Sequence, residues 1–391
     1  MGILIKRKDG HANMTARKTS RKKETASVMD DAVVLRVLDE LAGEKAAGQK
    51  REPSWGHPFP ARLPISIAEH ILKGLTEGNA VVLDPMVGSG TTLIAAKKCG
   101  RTGIGFDRDL LALRIAKSVV ASYETKELEE LGSKLLSRAF AIHSFKNHRL
   151  PLLREPLNEQ DQQFLKFWFS PQSQKQLFAF KRAILEVEDE RLQNFAWVVF
   201  SSLIIAKSAG ASYALDISRS RPHKVLSKPV VLPFDAWSRR FLAAVKRAPF
   251  LDVDDDGNLD LEHGDARQLS AADSSVDFIL TSPPYRNAVD YLRSHKFSLV
   301  WMGTSIPEVR HLRGTMIGSE RGLFSLDGIP DDLETRLSQV IEPRREQAMT
   351  RRYLSDLRKA IGEMERVLRS GGLAVMVVGP TMINAKKTDA A

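Results

Sequence analysis

The stretch NAVVLDPMVGSGTTLIAAKKCGRTGIGFDRD, residues 79–109, limits the possible folds more than any other part of the chain. An apolar run ends at Asp84, glycines follow at 88 and 90, a helix-forming segment leads to Cys99, and a second apolar run ends at Asp107. Strand, Gly-rich turn, helix and strand in that order make half of a doubly wound α/β unit. In such a sheet, ligands sit in the crevice beyond the carboxyl ends of the strands. Glycines there permit close backbone approach, and the helix N-terminus offers unpaired N–H groups. A phosphate-gripping P-loop needs Lys after its last glycine, whereas Thr91 and Thr92 stand there, which disfavours nucleotide hydrolysis. A dinucleotide site is a closer competitor, because Asp107 follows Gly90 at roughly the distance at which an acid grips a ribose diol. The loop nevertheless lacks the third glycine and carries Asp84-Pro85 ahead of it.

The sheet pattern then breaks off and resumes far downstream. Between about 110 and 258 the apolar periodicity is mostly helical. LDLEHGDARQL (259–269) brings Asp265 to the end of another strand, and SVDFILTSPPY drives an apolar strand into Ser282-Pro283-Pro284-Tyr285. Proline has no ladder donor, fixes its own φ and restricts the residue before it, so this run leaves the sheet as a stiff, extended turn. A last strand, GGLAVMVVG (371–379), follows the amphipathic helix YLSDLRKAIGEMERVLR. The sequence thus divides into a basic, mobile arm (1–29), a first half-domain with the Gly-rich loop (30–117), a helical insertion suited to target recognition (118–258) and a second half-domain (259–391). That second half carries its own insertion at about 303–350.

DPMVGSGTT, GDAR and TSPPY together resemble the S-adenosylmethionine-dependent amino methyltransferases that act on DNA bases. The resemblance is specific over about 57–109 and 259–301, weaker over 351–379, and absent from most of the insertion. It implies an α/β fold, a Rossmann-like class I methyltransferase sheet with a large helical insertion. It also implies S-adenosyl-L-methionine as cofactor and methyl transfer to an exocyclic base amine. By the same resemblance Asp84, Pro85, Gly88 and Gly90 hold the cofactor, Asp107 takes the ribose hydroxyls, Asp265 takes the adenine amine, and His57 and Pro58 of HPFPARLP cover the methionine end. Ser282, Pro283, Pro284 and Tyr285 form the catalytic pocket. The residue types suit the chemistry: an exocyclic amine is a poor nucleophile, and fixed acceptors at the Ser282 hydroxyl and Pro283 carbonyl favour the developing cation, while Tyr285 stacks on an extruded base. Ser before Pro-Pro puts cytosine N4 ahead of adenine N6. RNA amine methylation is an alternative. So is a nucleic-acid binder with impaired catalysis, since the chain stops soon after its last strand, where the family continues with strands that close the sheet, and an exposed edge is expected. Ring-carbon methylation needs a cysteine nucleophile, and Cys99, the only cysteine, lies far in sequence from Ser282 and reads as a packed small residue.

The net charge of +10 over 391 residues favours an anionic partner, nucleic acid ahead of membrane. Arg219, Arg221, Lys224, Lys228, Arg239 and Arg240 form a basic cluster suited to phosphate contacts with double-stranded DNA. A cognate restriction endonuclease is the partner that the resemblance suggests. The longest apolar stretch, FAWVVFSSLIIA at 195–206, is too short to span a bilayer, and the N-terminal apolar run is too brief for a secretory signal, so a cytoplasmic location is expected. DVDDDGN (252–258) lacks the spacing of a calcium loop, and no metal site is predicted.

Overall fold

The computed structural model describes residues 2–8, 31–46, 57, 59, 62–144, 157–206, 210–215, 222–250, 258–284, 290–319, 335, 344–378, 381–383 and 386–388. Six strands form the main sheet: β1 (Gly2–Arg7), β2 (Val81–Asp84), β3 (Thr102–Asp107), β6 (Leu259–His263), β7 (Val276–Thr281) and β8 (Leu368–Val378). Their spatial order is β1-β8-β7-β2-β3-β6. All neighbouring pairs are parallel except β1 with β8. This is the α/β, Rossmann-like methyltransferase sheet implied by the resemblance. The chain leaves β2 toward β3 on one side and later returns to β7 on the other, so strand order reverses at β2, and a doubly wound sheet opens its ligand crevice at that point.

β2 and β7 read as near-continuous apolar runs because both faces are covered, as parallel strands require. On one face lie α2 (Ile65–Leu75), whose Ile67, Ala68, Ile71 and Leu72 are buried, and α3 (Thr91–Lys98). On the other lies α12 (Arg344–Val367), with Ala360, Met364 and Val367 buried against Leu83, Val276 and Ile279. α1 (Asp31–Ala46) packs outside α2 through Val34 and Val37.

The long segment between β3 and β6 contains α4 (Leu110–Val120), α5 (Thr125–Ser144), α6 (Glu159–Trp168), α7 (Pro171–Leu185), α8 (Glu190–Ile204) and α9 (Pro233–Val245). It also carries two short strands, β4 (Ala214–Leu215) and β5 (His223–Lys224). These helices are not a separate lobe, because Trp197, Trp237, Phe180 and Phe200 are fully buried in one cluster with Leu111, Ile115 and Val119 of α4. Arg114 of α4 donates to Asn194 Oδ1 of α8 at 2.7 Å, which fixes the join. After β7 come α10 (Tyr291–Leu299) and α11 (Ile306–Thr315). α11 opens with a capping box between Ser305 and Glu308. A hairpin, β9 (Thr381–Ile383) and β10 (Lys386–Thr388), follows the main sheet.

The sheet edge departs from the sequence reading. Residues 2–7, assigned to a mobile arm, form β1 and pair antiparallel with β8 from Gly2↔Val378 to Arg7↔Leu373. β8 is therefore covered, not exposed. Ile3 and Ile5 pack on the α2 side of the sheet, while Lys6 pairs with Glu365 at 2.7 Å and Lys8 Nζ donates to the Leu368 carbonyl at 2.6 Å. The pairing joins segments some 370 residues apart in sequence, a contact that local pattern does not reveal.

Candidate active site

The carboxyl ends of β2, β3, β6 and β7 surround one open cleft. Asp84, Pro85, Met86, Val87 and Gly88 line it from the β2 turn, Asp107, Arg108 and Asp109 from β3, Gly264, Asp265 and Ala266 from β6, and Ser282 and Pro284 from β7. The Gly-rich turn and the Ser-Pro-Pro run, nearly 200 positions apart, thus face the same space.

The β2 turn is built by hydrogen bonds. Val87 N donates to the Phe106 carbonyl at 2.9 Å, and Gly88 N donates to Asp107 Oδ2 at 2.9 Å, so the turn is stapled to β3. Gly88 has φ +50 and Gly90 φ +82, a left-handed conformation that a side chain would strain. At Gly90 a Cβ would also meet Ala116 Cα at 3.1 Å. Gly90 is not among the residues lining the cleft, and its work is to let α3 and α4 approach.

Asp84 is buried. Its Oδ1 accepts from Thr281 Oγ1 at 2.7 Å and from Met86 N at 3.1 Å, which ties the ends of β2 and β7 together. Burial raises its pKa above the usual carboxylate value, opposed by hydrogen bonds from Thr281, Thr92 and Met86. Asp107 is pushed up to about 7, first by burial, then by the charge of Asp109, with the Asp109 and Gly88 amides pulling the other way. Asp265 behaves oppositely: burial acts to raise its pKa, but the hydrogen bonds and charge of Arg267, with Arg108 beyond, hold it below the ordinary range. Asp109 caps α4 by accepting from Leu111 and Ala112 N, and its Oδ2 meets His295 Nδ1 at 2.5 Å.

The cleft is therefore acidic inside a basic protein. Among its described lining residues Asp84, Asp107, Asp109 and Asp265 stand against Arg62 and Arg108. Such a lining suits a ligand carrying positive charge and disfavours a dinucleotide pyrophosphate over the β2 turn, where Asp84 is buried. Among the described residues, no group of three or more His, Cys, Asp or Glu is placed to hold a metal ion.

Several expected positions fall elsewhere. His57 does not line the cleft; it is buried, its Nε2 bonded to Ser201 Oγ at 2.9 Å, and burial followed by the charge of His295 lowers its pKa well below the usual imidazole value. The loop reaches the cleft through Phe59, whose ring lies 3.5 Å from where a Cβ on Gly88 would stand and stacks on Tyr291 with centroids 5.2 Å apart. Pro283 is buried and does not line the cleft. Pro58, Tyr285, Arg219 and Arg221 lie outside the described residues. Of the basic cluster, Arg239 is exposed, Arg240 is partly buried and Lys224 sits over the rings of Phe167 and Tyr213 at 4.4 and 5.5 Å. Lys228 is buried, with Nζ donating to the Ser212 and Ala214 carbonyls, so it is a structural strut and not a phosphate contact. Sequence reasoning missed Phe59, Arg108, Tyr291, Met316 and Ile317 as lining residues.

A DNA methylase family model matches residues 5–118. The type II methyltransferase M2.LlaDCHI of Lactococcus lactis subsp. cremoris is 43% identical over 68 residues, which is 17% of this chain and 25% of that protein. The type II methyltransferase M.MjaII of Methanocaldococcus jannaschii is 19% identical over 329 residues, covering 62% of this chain and 61% of the relative. M.BsoBI of Geobacillus stearothermophilus, also a type II methyltransferase, is 23% identical over 276 residues, 65% of this chain and 53% of its own length. The chain thus spans between a quarter and about three-fifths of the length of these relatives. No solved structure matches. Over the matched segments the chain is thus similar to DNA methylases, among them type II methyltransferases.

Proposed function

We propose, from that kinship and from the cleft, that the chain transfers a methyl group from S-adenosyl-L-methionine to an exocyclic amine of a DNA base, cytosine N4 ahead of adenine N6. The observation that carries the reading is the shared cleft. The glycine turn that would seat the sulfonium donor lines the same space as Ser282 and Pro284 of the run that would hold the amine. Asp84, Gly88, Asp107 and Asp265 would hold the cofactor, whose cationic sulfonium suits the carboxylate lining. When bound, the cofactor supplies the methyl cation equivalent.

The chain's own residues would then do two things. The Ser282 hydroxyl, which lines the cleft, would accept an amine hydrogen, favouring the pyramidal nitrogen of the transition state over the planar, delocalised ground state. The buried Pro283 and its neighbour Pro284 would keep that acceptor from relaxing, and Thr281, bonded to Asp84, would hold the turn at a fixed distance from the cofactor loop. Lys224 and Arg239 would contact phosphates and position the duplex, with Arg219, Arg221 and Arg240 as further candidates from the same cluster.

Mass spectrometry of nucleosides from DNA incubated with the protein and S-adenosylmethionine tests the reading. N4-methylcytosine is the expected product. N6-methyladenine would reassign the base, and cofactor binding with no methylated nucleoside from DNA would overturn the proposed reaction.

A further inference from the structure

We propose that Arg108 sets how strictly the cleft selects a six-amino purine, because its guanidinium stands on the acceptor face of Asp265 that the exocyclic amine must use. The inference rests on the reading above, in which Asp265 accepts from the cofactor's adenine. A carboxylate has about four lone-pair positions. Arg267 takes three: its backbone N and its Nε donate to Oδ1, each at 3.0 Å, and its Nη2 donates to Oδ2 at 2.8 Å. Arg108 Nη1 stands 3.2 Å from Oδ2 and covers what remains.

The two arginines are not equally able to yield. Arg267 is clamped: its Nη1 donates to Asp356 of α12 at 2.6 Å, and its Nη2 also donates to the Thr315 carbonyl at the end of α11 at 2.8 Å. Arg108 lines the cleft, and the nitrogen that faces Asp265 also donates to the Thr315 carbonyl at 2.9 Å. It therefore has an acceptor to fall back on when the carboxylate is claimed by a ligand. Arg108 is the group that moves.

The consequence is a preference set by competition. A six-amino purine brings a donor and must displace Arg108 from Oδ2. A six-oxo purine brings an acceptor, which Asp265 repels but for which Arg108 supplies a donor. Arg108 thus weakens the favoured ligand, supports the disfavoured one and narrows the gap between them.

The test measures affinity for S-adenosylhomocysteine and S-inosylhomocysteine by calorimetry on the full chain. In Arg108→Ala the preference for the adenosyl ligand should widen on the order of tenfold, the worth of one hydrogen bond to a charged group. Arg108→Lys, which keeps a cation without the planar fork, should fall between wild type and Ala. Arg310→Ala controls for loosening of α11, since Arg310 donates from that helix to Gln160 Oε1 of α6 at 2.6 Å; its preference should match wild type. Should Arg108→Ala fail to fold, a widened preference in Arg108→Lys alone supports the proposal. An unchanged or narrower preference in folded Arg108 variants, or an equal widening in Arg310→Ala, overturns it. If the wild type binds neither ligand, the cofactor reading itself falls. Binding with no change in preference removes only the role of Arg108.

Discussion

The carboxyl of Asp107 offers the sharpest physical test, because ionising it opposes folding while the proposed ribose contact needs it ionised. Its pKa stands at about 7 against an ordinary 3.8. Each pH unit is worth about 1.4 kcal/mol, so full ionisation costs at most about 4 kcal/mol of folding free energy. It is an upper limit because one side of the group opens on the cleft, where solvent screens it. The native state holds the proton more tightly than the unfolded chain does. This contribution to stability is therefore complete below pH 3.8 and is lost as pH rises toward and through 7. Asp107→Asn cannot ionise. It gives up one oxygen acceptor toward the Gly88 or Asp109 amide, a penalty that does not depend on pH. The stability of the variant relative to wild type should then rise by about 2–3 kcal/mol between pH 5 and pH 8. Urea denaturation at both pH values, with the slope checked for constancy, measures the difference directly. A relative stability that stays flat or falls over that interval would refute the account of Asp107.

Three further outcomes follow from the same geometry. Asp84→Ala should abolish S-adenosylhomocysteine binding and destabilise the fold by about 1–3 kcal/mol, since it strands the buried Thr281 hydroxyl; calorimetry and thermal melting report the two effects separately. Ser282→Ala should leave cofactor affinity within about twofold and slow methyl transfer by roughly 100- to 1,000-fold, the range for loss of one fixed partner to developing charge; single-turnover kinetics distinguish rate from binding. Arg239→Ala should weaken binding to any DNA duplex alike and reduce the slope of log K against log salt by about one, and a sequence-dependent loss would contradict a phosphate role.

Much of the site was legible because it is made of backbone chemistry. Glycines with positive φ at 88 and 90 and prolines that cannot continue a strand declare turns wherever they occur, and acids at strand ends mark the crevice of a doubly wound sheet. Side-chain destinations were not legible in the same way. His57 and Phe59 sit in one proline-punctuated loop, yet the first is buried against Ser201 and the second covers Gly88. Which of them would reach the cleft depends on where α8 packs.

The sequence by itself determined the alternation of strands and helices, the two turns that carry the chemistry, and the break between them, all of which follow from local stereochemistry and apolar period. Tertiary structure alone decided that Gly2–Arg7 covers the edge of β8, that the helical insertion shares its core with α4, and that Arg108 and the end of α11 converge on the Asp265–Arg267 pair. Each of these joins residues far apart in the chain. Their free energy comes from burial and charge pairing between surfaces that exist only once the sheet has formed, so no window of sequence contains both partners.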